Sequence, residues 1–152
     1  MMSAISPPVV NPNEFLTAFN GSFAGILHWP QLDNLWNVLR QDSGGQWYIY
    51  ALGEPPPSAP ATAEQVERFI TGIDPLLRRD HQEDYCGIVY VDDPGQPQFV
   101  KIYDPHNLGV ACGYSNHPPL PGWVMSKLAP VDLQQGPLPG QRKRWWQRLF
   151  GG

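Results

Sequence analysis

Hydrophobic and polar positions follow two periods along this chain, and each period marks a different kind of element. Leu32, Leu35, Trp36 and Leu39 recur three and four residues apart, with Asp33, Asn34, Asn37 and Arg40 between them. Side chains at that spacing share one side of a helix, so an amphipathic helix is predicted from Pro30 to about Gln41. Proline suits a first helical position, and Ser43-Gly44-Gly45 ends the run. Val66, Phe69, Ile70 and Ile73 repeat the pattern after Thr62, which forms a capping box with Gln65. Asp74-Pro75 should kink or restart this helix, with Leu76-Leu77 carrying the apolar side on to Arg78-Arg79-Asp80. A shorter helix is expected to start at Asn11, with Pro12 and Glu14 in its first turn and Phe15, Leu16 and Phe19 on its apolar side.

Elsewhere the chain is β-branched and aromatic, the composition of strands. Tyr85–Val91 and Phe99–Tyr103 flank Asp92-Asp93-Pro94-Gly95, a turn sequence, and together predict an antiparallel hairpin. If Val91 lies near Gln98, then Tyr85 lies near Asp104 and Glu83 near His106. Gln46–Leu52 and Trp123–Leu128 read as further strands, and Val110–Cys112 as a short one. Pro118, Pro119 and Pro121 remove too many amide donors for a sheet interior, so that stretch is expected to be a surface loop. Glu54 to Pro60 reads as a stiff, extended connector.

Taken together, the order of elements predicts an α+β fold. It would be a single domain, with a mixed or antiparallel sheet of four to five strands and about three helices packed on one face. The strands at Gln46–Leu52 and Tyr85–Val91, joined by a helix, could run parallel through a right-handed crossover. Residues 1–10 are expected to be a flexible N-terminal segment, 11–133 the globular domain, and 134–152 a Pro/Gly linker with a basic, aromatic tail.

Charge divides the chain in the same place. All 14 acidic residues lie at or before Asp132, against six of the ten basic ones, leaving residues 1–135 at −8. Arg142, Lys143, Arg144 and Arg148 then give the tail +4. A body of that sign disfavours nucleic-acid binding, whereas the tail suits an anionic partner. Nothing approaches the run of about 20 apolar residues that spans a bilayer. The first residues lack a basic region followed by an apolar one, so a cytoplasmic protein is expected. In that compartment Cys86 and Cys112 read as buried, reduced thiols.

Three candidate chemistries follow. The open end of the hairpin would gather His81, Glu83, Asp84, Asp104 and His106, residue types that hold transition metals or act as general acid and base, though at no recognised metal spacing. Cys86 or Cys112 could act as a nucleophile if His81, His106 or His117 came within reach, but an acidic surrounding raises a thiol pKa. No GxGxxG or GxxxxGK[ST] sequence occurs, so no cofactor is expected. In the tail, Arg142, Lys143, Arg144, Trp145, Trp146, Arg148, Leu149 and Phe150 place apolar rings beside cations if they form a helix. Such a segment suits an unidentified acidic protein partner or an anionic membrane surface, with the protein peripheral at the membrane in the second case. The leading expectation is an accessory or adaptor domain that acts by protein–protein interaction, without catalysis. The alternative is a small metal-binding protein or hydrolase-like enzyme that uses the hairpin-end cluster.

Overall fold

The computed structural model describes residues 12–107, 120–133 and 140–150. In order these form α1 (Pro12–Phe19), β1 (Ala24–Gly25), α2 (Trp29–Gln41), β2 (Tyr48–Ala51), α3 (Ala63–Asp80), β3 (Val89–Val91), β4 (Phe99–Ile102), β5 (Trp123–Ser126) and α4 (Gly140–Phe150). The strands make one sheet in the order β1-β3-β4-β5-β2, and every neighbouring pair is antiparallel. The architecture is α+β, as the sequence leads one to expect. The sequence expectation of a parallel β2–β3 relation through α3 fails, because β4 and β5 lie between them and reverse the direction. Val110–Cys112 and most of the proline-rich loop lie outside the described residues.

The two-residue period of the strands sorts side chains into two cores. Ile49 and Ala51, Val89 and Val91, Val100 and Ile102, and Trp123 and Met125 share the larger core with Leu32, Leu35, Trp36 and Leu39 of α2 and Val66, Phe69, Ile70 and Ile73 of α3. Tyr50, Phe99 and Val124 point the other way and meet Phe15 of α1. Three helices therefore cover one face of the sheet, but the third is α4, whose Trp145, Trp146, Leu149 and Phe150 pack on the larger core. α1 covers the opposite face. Each large apolar side chain buried in this way contributes roughly 1.5–3 kcal/mol relative to exposure.

Local chemistry fixes the element ends. Thr62 and Gln65 make the expected capping box on α3. The helix runs unbroken through Pro75 to Asp80. Its apolar side (Leu76 and Leu77) stays buried beyond the proline, so packing holds the helix together where propensity alone would break it. At the hairpin, the Asp92 carboxylate accepts from the backbone N–H of both Gln98 and Phe99 at 3.0 Å. That sets Val91 opposite Val100, two residues from the register with Gln98, and an even slip leaves every side chain on its own face.

β3 also begins later than the apolar run. Gly87 takes a φ of +68°, which a side chain would resist, and turns the chain away from β4. Cys86 and Gly87 then donate to the carbonyls of Leu27 and Ile26 beside β1. The hairpin pairing therefore stops at Ile88 and Tyr103, whose backbones share the last hydrogen bond. Strand pairing does not bring Glu83 to His106 or Tyr85 to Asp104.

Candidate functional site

The spacing within α4 puts Arg142, Trp145, Trp146, Leu149 and Phe150 on one side of the helix, three, four and seven residues apart. Lys143, Arg144, Gln147 and Arg148 fall on the other, where all four are exposed. The first side is docked. Trp145 meets Trp123 of β5 edge-on at 5.5 Å, and Trp146 meets Phe69 of α3 at 6.3 Å. Leu149 lies over Gly72, where an added Cβ would come within 2.7 Å of its methyl carbon, so glycine allows α3 and α4 to approach closely. Arg68 donates to the Leu149 carbonyl at 3.2 Å, taking up one of the last carbonyls of α4.

At the start of the same side sits Arg142, only 2 % exposed. Its Nε and Nη2 donate to the two oxygens of Asp104 at 2.9 Å each, and Nη2 donates to Asp80 at 2.9 Å as well. Asp104, 6 % exposed, follows β4, while Asp80 ends α3. One guanidinium thus joins α4, α3 and the end of β4. A planar fork matched to a carboxylate is the geometry in which a buried ion pair can recover its desolvation cost.

Arg79 is the second cation here, donating to Asp80 at 2.8 and 3.3 Å. Hydrogen bonding from Arg79, opposed by burial and assisted by Arg142, lowers the Asp80 pKa to about 2. Burial works against the Arg142 charge, but the hydrogen bonds to Asp104 and Asp80 outweigh it and hold its pKa above the ordinary value.

Beside this cluster a cleft of about 440 Å³ is lined by His106, Gly140, Gln141, Arg142 and Arg144. The His106 ring Nε2 lies 3.0 Å from the Gln141 amide nitrogen and 3.6 Å from the Asp80 carboxylate. The backbone N–H of His106 donates to Asp104 at 2.9 Å, closing a short turn that places the ring at the cleft.

The five residues proposed from sequence as a metal or acid–base cluster are therefore only partly assembled. Asp104 and His106 meet, with Asp80 and Arg142 as their partners. His81 instead caps α3 and packs edge-on against Trp29 and Tyr85, with its Nε2 buried and without a hydrogen-bond partner among the described residues. Glu83 contributes its carbonyl to the Trp29 indole N–H at 3.0 Å, while its carboxylate and that of Asp84 are in exposed residues. Among the described residues no three His, Cys, Asp or Glu side chains are grouped as cation ligands. Cys86 is buried, and burial pushes its thiol pKa up, away from the reactive thiolate. Cys112 and His117 lie outside the described residues.

Sequence reasoning missed Asp80 and Gln141, and it grouped Arg142 with the exposed cations. The available signal was the helical spacing of Arg142 to Trp145, Trp146 and Leu149, which marks it as inward-facing. Comparison with protein families, curated proteins and solved structures finds no match to this chain.

Proposed function

We propose that this protein is an accessory or adaptor domain that docks an acidic protein partner on the outward face of α4. The observation that carries this reading is the division of α4 by sides. Its rings are used on the body and Arg142 is taken up by Asp80 and Asp104. Lys143, Arg144 and Arg148 are exposed and make no ion pair among the described residues. Three cations on one helix face without an ion-pair partner among the described residues, on a body of opposite sign, form a local positive patch that attracts and orients an anionic surface.

Packing of the tryptophans favours a protein partner over a membrane, since anchoring in a bilayer interface calls for those same rings to enter it. Among the described residues no helix is long and apolar enough to cross a membrane.

The test is titration of a fluorescent glutamate-rich peptide into the full chain, compared with the double variant Lys143→Glu/Arg148→Glu. The wild type is expected to bind weakly and to lose affinity as salt is raised, and the variant at least about tenfold more weakly, with an unchanged melting temperature. Equal binding by both proteins would end this reading. Binding to phosphatidylserine vesicles in preference to the peptide would redirect it to a membrane surface.

A further inference from the structure

We propose that the free edge of β1 is a second docking surface, which takes up an extended, basic segment of another protein as an added strand beside α2. It lies apart from α4 and does not rest on the docking of an acidic protein there. β1 is the outermost strand on one side of the sheet, with β3 as its neighbour. Ile26 donates its N–H to the Val89 carbonyl at 2.8 Å, and Gly25 stands opposite Tyr90. Successive residues of a strand turn their N–H and C=O groups to opposite edges, so those of Gly25 point away from β3 into the open edge. Gly25 is exposed and has no side chain to keep another backbone at a distance.

Beside that edge runs a groove of about 210 Å³, lined by Gly25 and Ile26, by Gln31, Leu35 and Val38 of α2, and by Pro94 of the β3–β4 turn. Its floor is apolar: Ile26 and Leu35 are buried and Val38 is half-buried. The Gln31 amide oxygen accepts the N–H groups of Leu27 and His28 at 3.1 and 2.9 Å, which ties the start of α2 to the chain leaving β1 and fixes the two walls. On the other side of the edge Leu27 is 58 % exposed. A strand laid along β1 would exchange hydrogen bonds with Gly25, send alternate side chains into the groove and cover Leu27 with their neighbours. Main-chain bonds then give affinity and the groove gives specificity.

Charge selects the occupant. Asp92 and Asp93 follow Val91, the residue opposite Ala24, and both are exposed. The Asp92 carboxylate accepts the N–H groups of Gln98 and Phe99, and that of Asp93 accepts the Gly95 N–H. Neither has an ion-pair partner among the described residues. This end of the edge is therefore negative, on a body of the same sign. A second copy of the chain would bring its own Asp92, Asp93 and acidic body, and like charges oppose that pairing. A segment whose apolar residues alternate with lysine or arginine is attracted instead, and the lysine stems can lie over Leu27.

Fluorescence anisotropy of a short labelled peptide of alternating valine and lysine, titrated with the full chain, tests this. The expected result is saturable one-to-one binding, with hydrogen exchange at the Gly25 amide slowed in the complex. Val38→Lys, which puts a cation into the groove, should weaken binding about tenfold or more, and Asp93→Asn, which keeps the turn hydrogen bond, about threefold. The same peptide with alternate amides N-methylated, and one of alternating valine and glutamate, should each bind the wild type at least about tenfold more weakly. Lys143→Glu/Arg148→Glu should stay within about threefold of the wild type, which separates this surface from α4. No saturable binding, equal binding by the wild type and Val38→Lys, or equal binding of the N-methylated or glutamate peptide overturns the proposal. A Gly25 amide already protected in the free chain also overturns it. Protection that falls on dilution would give the edge to a second copy, and protection that falls on deletion of residues 1–10 would give it to that segment.

Discussion

Removing the Arg142 guanidinium would leave Asp104, 6 % exposed, with a buried charge and no cation. Breaking one side of such a pair typically costs about 3–5 kcal/mol, far more than the net worth of an exposed ion pair. Arg142→Ala should therefore lower the unfolding free energy by that order in urea melts, and the double variant Arg142→Met/Asp104→Asn should recover part of the loss. A loss below about 1 kcal/mol would show that the pair does not hold α4. Acid acts on the same cluster. The Asp80 carboxyl is more acidic folded, at about 2, than a free aspartate at about 3.9, so the ionised form favours folding. That contribution is whole above about pH 4 and fades as the pH falls toward 2, an effect that Asp80→Asn should remove from the acid limb of the stability curve. Asp104 and His106 could be picked out from sequence because they follow a strand. Arg142, the partner of Asp104 and 38 residues away, could not, since an ion pair between distant elements leaves no periodic trace.

Helix faces were the most legible elements, because a three-to-four spacing of Leu, Ile and Trp survives whatever the chain packs against. α2 and α3 bury the residues that their spacing nominates. Strand ends were less legible: Tyr85 and Cys86 belong to an apolar run, yet Gly87 turns the chain before β3 begins. β1 is two residues long and made by pairing with β3 rather than by its own composition. α4 lies between these cases. Its amphipathic pattern was visible, but whether its apolar side meets the body or another molecule depends on what the sheet leaves uncovered. An 11-residue helix has little stability alone in water, so its order comes from Trp123, Phe69 and Gly72 beneath it. Deleting residues 140–152 should then lower the melting temperature by more than about 5 °C, as loss of about two or more kcal/mol does in a domain of this size. The separate peptide should show little helical circular dichroism. An unchanged melting temperature would mean that α4 is dispensable to the fold.

At the scale of the whole molecule, the two cores are opposite faces of the same strands, which makes them hard to melt separately. Val100 and Ile102 serve the larger core while Phe99, in the same strand, serves the smaller. The local hairpin β3–β4 could be read from its turn, but β2–β5 and β1–β3 are pairings between distant segments, which carry no turn signal to announce them. An order built this way ties α4 to the rest, since Trp145 rests on Trp123 in β5, and β5 is held between β4 and β2. Unfolding should accordingly be a single transition. Trp145 and Trp146 are on α4 whereas Trp36, Trp47 and Trp123 are buried in the body. In the unaltered chain, the native indole signals of Trp145 and Trp146, resolved by nuclear magnetic resonance, should fade together with those of Trp36, Trp47 and Trp123 and with the far-ultraviolet circular dichroism across a urea titration. An α4 signal that moved at lower urea than the sheet would instead show a helix that leaves the body first, and would favour release of its rings over docking by its cations.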